Sequence, residues 1–145
     1  MTLAAIQFKP VRGQWERSAQ ALEALCAEAA QGGAAIVVCP EMALTGYLFP
    51  DPAAAAEVAE PTDGPTLARF SQVARRGAFY LVIGYPERAG TRLYNSALVI
   101  GPSGELLYNY RKRLLFDADK PWAAPGDRPY PLIPTPLGTL TVGIC

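Results

Sequence analysis

Histidine is absent from the 145 residues. That gap removes Ser-His-Asp triads, Cys-His pairs and histidine-based zinc centres at once. Cysteine is scarce: Cys26, Cys39 and Cys145 are unevenly spaced and form no Cys-x-x-Cys pair, so neither a disulfide framework nor a dithiol redox motif is present. Neither sign of charge is in excess, with 13 basic and 13 acidic residues, which argues against a nucleic-acid partner or an anionic membrane surface. No apolar run is longer than that from Ala34 to Cys39, which is far too short to span a bilayer, and the opening "MTLAAIQFKPV" lacks a basic leader and cleavage site. No cluster has metal-ligand spacing and no glycine loop is built for phosphate. The expectation is a soluble, cytoplasmic protein with no metal and no cofactor.

Half of the residues are apolar, which suits a compact core. "LAAIQF" reads as a short strand. From Gln14 to about Ala30, Trp15, Leu22, Leu25, Cys26 and Ala29 recur at helical spacing, and Gly32-Gly33 ends the run. "AAIVVC" is a strand stopped by Pro40. A loop runs from Glu41 to Pro52, and Ala53 to Glu60 adds a helical turn. Gly64-Pro65 opens a second helix whose buried stripe is Leu67, Phe70, Val73 and Ala74, closed by Gly77. "FYLVIGY" is a third strand, and "YNSALVI" and "ELLYNY" flank "GPSG" as a hairpin. Lys112 to Pro134 is a long, proline-punctuated stretch of the kind that is functional or disordered. "PLGTLTVGIC" supplies a last hairpin or strand pair, with Cys145 at the end of a strand.

This alternation is α/β. "AAIVVC" and "FYLVIG" are apolar on both faces, as strands are when both sides of a sheet are covered. The two long helices cover one side. The other needs a second layer, from further chain or from a partner subunit, because soluble proteins avoid so large an exposed apolar patch.

Polar groups at strand ends are the usual sites of α/β proteins. Glu41 follows the second strand, Lys112 follows the hairpin, and Cys145 ends "TVGIC". Without histidine, a cysteine needs another base, and a carboxylate can serve. A lysine beside it favours the thiolate and stabilises an oxyanion. Such a set performs acyl transfer. Taken singly, each residue has a plainer reading: a buried small hydrophobe for Cys145, a loop acid for Glu41, a solvated basic cluster for Lys112 between Arg111 and Arg113. Cys26 and Cys39 keep the plain reading.

The strings themselves shift that balance. "PEMALTGY" resembles the segment around the catalytic glutamate of the nitrilase superfamily of carbon–nitrogen hydrolases. "LYNSALVI" followed by "GELLYNYRK" resembles the strand pair leading to its lysine, and "GTLTVGIC" the strand ending in its cysteine. "WAAPG" is similar to its aromatic and Pro-Gly before the final strand. The order and spacing agree along essentially the whole chain. The resemblance implies Cys145 as nucleophile, Glu41 as general base and Lys112 as stabiliser of the tetrahedral intermediate. Asp119 stands where many members carry a second acid, a candidate for positioning substrate or lysine. Leu114 stands where some members carry a histidine. Tyr47, Phe49 and Trp122 are candidates to line an acyl pocket or simply to pack loops.

The implied fold is a four-layer α-β-β-α sandwich of which this chain supplies about half, with dimers or higher homo-oligomers common. The implied domain spans residues 1–145 and stops at the nucleophile, whereas family members continue and use the next backbone N–H in the oxyanion hole. The expected activity is a thiol amidase acting on a small-molecule amide or carbamoyl compound. The alternatives are a glutaminase-type module feeding ammonia to a synthetase, or a non-catalytic half-domain.

Overall fold

The computed structural model describes residues 1–145. Its frame is a five-stranded sheet in simple sequence order, β1 (Thr2–Ala5), β2 (Ala34–Val38), β3 (Tyr80–Ala89), β4 (Arg92–Ile100) and β5 (Leu106–Arg111). The first three strands are parallel, joined through helices, and the last three form an antiparallel meander. Three helices intervene: α1 (Trp15–Gln31), α2 (Pro52–Val58) and α3 (Pro65–Gly77). A separate two-stranded ribbon, β6 (Ile133–Thr135) with β7 (Gly138–Leu140), follows the long loop.

Local chemistry explains the boundaries. Asp51 caps α2, its Oδ1 accepting from Ala54 N at 2.8 Å, and Pro52 enters at the first turn, where its missing N–H costs nothing. Pro65 opens α3 in the same way, and Ala78 closes it in the left-handed region at φ 52°. The α3 stripe differs slightly from expectation. Phe70, Val73 and Ala74 are buried, but Thr66 joins them and Leu67 is only half-buried. Thr66 turns inward because its N–H and hydroxyl both donate to Glu60, tying the helix start to the preceding loop.

Helices α1 and α3 lie on one face. Leu22, Cys26, Phe70, Val73 and Ala74 form one core with Val37, Leu81, Ile83, Leu98 and Ile100. The opposite face is open at the β1–β2 edge, where Leu3 is 62% and Val38 43% exposed. The apolar two-sidedness read in these strands therefore corresponds to one face under helices and one that is open only at the β1–β2 edge, with Ala97, Val99 and Tyr110 of β4 and β5 buried on it. This is one helix layer on one sheet, half of an α-β-β-α arrangement. No helix is long and apolar enough to cross a membrane.

Three strand expectations are corrected. The opening strand stops at Ala5 rather than Phe8, and β3 and β4 extend past the expected ends to pair as a hairpin around Gly90. Residues 141–145 carry no strand pairing, so Cys145 does not end a strand. β7 stops at Leu140, and the tail runs on as exposed and half-buried chain across the open sheet face.

Candidate active site

The end of β2 sets the first group. Beyond Val38 the chain continues beside β3: Cys39 N donates to Val82 O, Ala43 N to Gly84 O, and Gly84 N to Pro40 O. This close approach requires glycine at 84, since a Cβ there would sit 2.8 Å from the Glu41 Cα and 2.7 Å from Met42 N. Met42, fully buried, takes φ 50°, a conformation that side-chain-bearing residues adopt only when the surroundings impose it. Glu41 is thus held on a rigid, locally strained segment.

Lys112 follows β5 and is fixed on both sides. Its N–H donates to Asn95 O at 2.8 Å, and its carbonyl accepts from Gly126 N at 2.8 Å. The Pro125-Gly126 step is therefore a clamp on the lysine backbone. The Lys112 side chain is 1% exposed and lies on the sheet face opposite the helices.

The two strand ends converge. Lys112 Nζ donates to Glu41 Oε1 at 2.9 Å and pairs with Asp119 Oδ2 at 2.7 Å. Asn95, on β4, completes a ring: its Nδ2 donates to Glu41 Oε1 at 2.5 Å and to Asp119 Oδ1 at 3.0 Å. Asp119 is fully buried and also accepts from Phe116 N at 3.0 Å, closing its own turn. Burial opposes the charge on Lys112, but Asp119 and Glu41 outweigh it and hold the ammonium's pKa well above that of an ordinary lysine. The Tyr47 phenol is pushed up, first by burial and then by the Asp119 charge; its ring lies 5.5 Å from Lys112 Nζ.

One cavity of about 460 Å³ is lined by Glu41, Tyr47, Lys112, Leu114, Leu115, Phe116 and Cys145. Cys145 is exposed, and it also meets Glu41 in a second cavity under the C-terminal tail. Glu41, Lys112, Cys145 and Tyr47 are thus brought to one place. Asp119 reaches the same cluster from beneath, on the lysine. Trp122 is not among the cavity residues. It packs with Met42, Ala55 and Ala123 and meets Phe49 edge-on at 5.1 Å, pinning the loop to α2. Cys26 and Cys39 are buried in the helix-side core, and Cys39's thiol is pushed well up by its neighbour Cys26 and by burial. No three Cys, Asp or Glu side chains converge as a metal cage.

Asn95 escaped the sequence reading. Its one available signal was position, because it shares the alternation of "LYNSALVI" that places residues 93, 95, 97 and 99 on the face opposite Leu98.

A rigid sheet end presenting a carboxylate, a buried ammonium and an accessible thiol is the equipment of a cysteine acyl-transfer enzyme. The chain matches the carbon-nitrogen hydrolase family model over residues 2–145. It is 36% identical over 143 residues to a nitrilase of Pyrococcus abyssi, covering 98% of this chain and 53% of the relative. It is 40% identical over 134 residues to omega-amidase NIT2 of Xenopus tropicalis, covering 83% and 46%. Among solved structures, an N-terminal amidase superposes with a TM-score of 0.74 at 31% identity, over 81% of this chain and 29% of that one. An amidase from Nesterenkonia sp. superposes at 0.86 with 23% identity, over 99% and 54%, a likeness of fold. The chain belongs to the carbon–nitrogen hydrolase family, the nitrilase superfamily. It spans about half the length of the nitrilase and omega-amidase it matches.

Proposed function

We propose that this chain carries the nucleophile, base and oxyanion stabiliser of a thiol amidase that hydrolyses a non-peptide carbon–nitrogen bond in a small amide or carbamoyl compound. One observation supports this most: Glu41 and Lys112 are hydrogen-bonded to each other and share an open cavity with Cys145.

Glu41 Oε1 is already occupied by Lys112 and Asn95, whereas Oε2 has no hydrogen bond within the chain. Oε2 is therefore the atom that takes the Cys145 proton as Sγ attacks the carbonyl carbon. Two of the Lys112 N–H directions are committed to carboxylates. The third donates to the oxygen that becomes negative. Collapse of the tetrahedral intermediate breaks the carbon–nitrogen bond, and the proton held on Glu41 leaves with ammonia. Glu41 then takes a proton from water as its oxygen attacks the thioester. Collapse of this second intermediate frees the acid and returns the proton to Cys145. Asp119, buried against Lys112, acts by holding the ammonium charged and in place.

The apolar rim of Leu114, Leu115 and Phe116 with Tyr47 suits the uncharged part of such a substrate. The open face at Leu3 and Val38 is the surface we assign to a second layer in a homo-oligomeric, cytoplasmic enzyme. In the full protein, Cys145→Ala is expected to abolish ammonia release from a panel of small primary amides while far-UV circular dichroism stays unchanged. Undiminished turnover in that variant overturns the reading.

A further inference from the structure

Between the two carboxylates of the site sits an uncharged group to which the reaction gives no task. Asn95 is fully buried on β4, paired across the sheet with Pro86, and its backbone carbonyl accepts from Lys112 N. Both neighbours of its amide nitrogen are carboxylate oxygens, so the amide has one sensible orientation: NH2 toward Glu41 and Asp119. That orientation leaves Asn95 Oδ1 buried with no partner in the chain. A buried, unpaired carbonyl oxygen is costly, and an apolar residue of similar size would avoid the cost. Stability alone therefore does not account for asparagine here.

We infer that Asn95 is a positioning residue for the base: by donating to Glu41 Oε1 and Asp119 Oδ1, it holds the two carboxylates side by side and turns Glu41 Oε2 toward Cys145. This rests on the amidase reading above. The reasoning is geometric. Glu41 is 28% exposed and faces an open cavity, and its side chain is held by two hydrogen-bond donors, Lys112 and Asn95. Lys112 alone would hold one oxygen but leave the carboxylate free to swing about that contact. A second donor on the same oxygen, from a different strand, removes the swing. The amide adds no charge, so Lys112 keeps its third N–H for the substrate oxygen. A cation at position 95 would compete with the lysine for both carboxylates, and a third carboxylate would repel both.

The groups facing Glu41 are Lys112 beyond β5, Asp119 in the turn after it, Tyr47 in the loop beyond β2, and Cys145 in the C-terminal tail. β3 approaches with Val82 and Gly84 and β4 with Asn95 and Ala97, none of them titratable. Removing the Asn95 donor takes a hydrogen bond from the charged form of a carboxylate, which disfavours ionisation.

The test uses the full protein with Asn95→Leu and Asn95→Asp, each checked for native circular dichroism. In Asn95→Leu, kcat is expected to fall about 10- to 100-fold, the effect of a lost hydrogen bond to a charged group, with KM within about threefold. The acid limb of the pH–rate profile is expected to move up. In Asn95→Asp, which keeps the shape, the limb is expected to move further in the same direction. The rate of Cys145 alkylation by iodoacetamide against pH is followed in parallel, because it needs no substrate. If the wild type hydrolyses no amide yet Asn95→Leu shifts the alkylation profile upward, the amidase reading fails and the positioning role stands. A folded variant of either kind with unaltered kcat, pH limb and alkylation profile overturns the inference. If Asn95→Leu does not fold, Asn95→Asp alone decides by the same criteria.

Discussion

Arg111 and Lys112 are adjacent in sequence, both nearly buried, both paired with carboxylates, yet they serve opposite faces of the sheet. Arg111 meets Glu87 at 2.6 and 2.9 Å and Asp127 at 3.0 Å, and its guanidinium lies 4.0 Å from the centre of the Tyr94 ring. Glu87 is 1% exposed, and both of its oxygens are used twice: Oε1 accepts from Thr62 and Arg111, Oε2 from Ser96 and Arg111. Glu41, beside Lys112, has one oxygen used twice and the other not at all, and it opens onto a cavity. A carboxylate with every lone pair engaged is a structural tie. One with half its capacity left, held just as firmly, is equipped to move protons. The difference lies in saturation and access, not in the type of ion pair.

The sharpest way to break this comparison is to neutralise each acid in turn. Glu87→Gln strips the charge from a buried pair and is expected to cost about 3–5 kcal/mol in urea unfolding. Glu41→Gln is expected to change stability by less than about 1 kcal/mol while lowering amide turnover about 10²- to 10⁴-fold. Equal stability losses in the two variants would erase the distinction.

A smaller effect is expected at Gly84. Gly84→Ala drives a methyl group into the Pro40–Met42 backbone. A loss of about 1–3 kcal/mol is expected, with turnover falling because the Glu41 segment is displaced. Thermal melting and kcat together check it; a variant that melts normally with normal kcat would show that the close approach is not required.

The smallest effect is on pH dependence. Burial favours the neutral form of Glu87, but hydrogen bonds from Arg111, Ser96 and Asn109 more than offset it, so its pKa lies below the ordinary 4.5. Its contribution to stability is complete above that value and is lost as pH falls through the folded-state pKa. Lys112 is shifted the other way, above 10.5, so its contribution is complete at neutral pH and is lost only in strong alkali. Urea midpoints for the wild type should therefore fall below about pH 5, and less steeply in Glu87→Gln. Parallel curves would assign the acid sensitivity to other carboxylates.

Much of the frame was legible because it rests on local pattern. The spacing of Leu22 and Cys26, of Phe70, Val73 and Ala74, and the punctuation by Gly32-Gly33, Gly64-Pro65 and Gly77 are short-range signals. Glu41 and Lys112 were legible as polar groups at strand ends. The β3–β4 hairpin was less so, since its turn around Gly90 follows charged residues whose alternation is masked by the buried Glu87. The unpaired course of residues 141–145 was not legible either, because "TLTVGIC" alternates like a strand whether or not an edge is present to pair with it.

Within the site, the types of reactive group followed from the residues alone, and their partnership did not. An acid after Pro40, a lysine after "YNYR" and a cysteine after "TVGI" are facts of sequence, and they offer a carboxylate, an ammonium and a thiol. That Asp119 lies buried on the lysine, that Trp122 packs against Phe49 away from Cys145, and that Asn95 bridges two acids depend on which strands stand side by side and in which register. Those are long-range pairings. Only the folded sheet brings Glu41 within 2.9 Å of a lysine 71 residues away, because hydrogen-bond partners are chosen by distance in space, not by spacing along the chain.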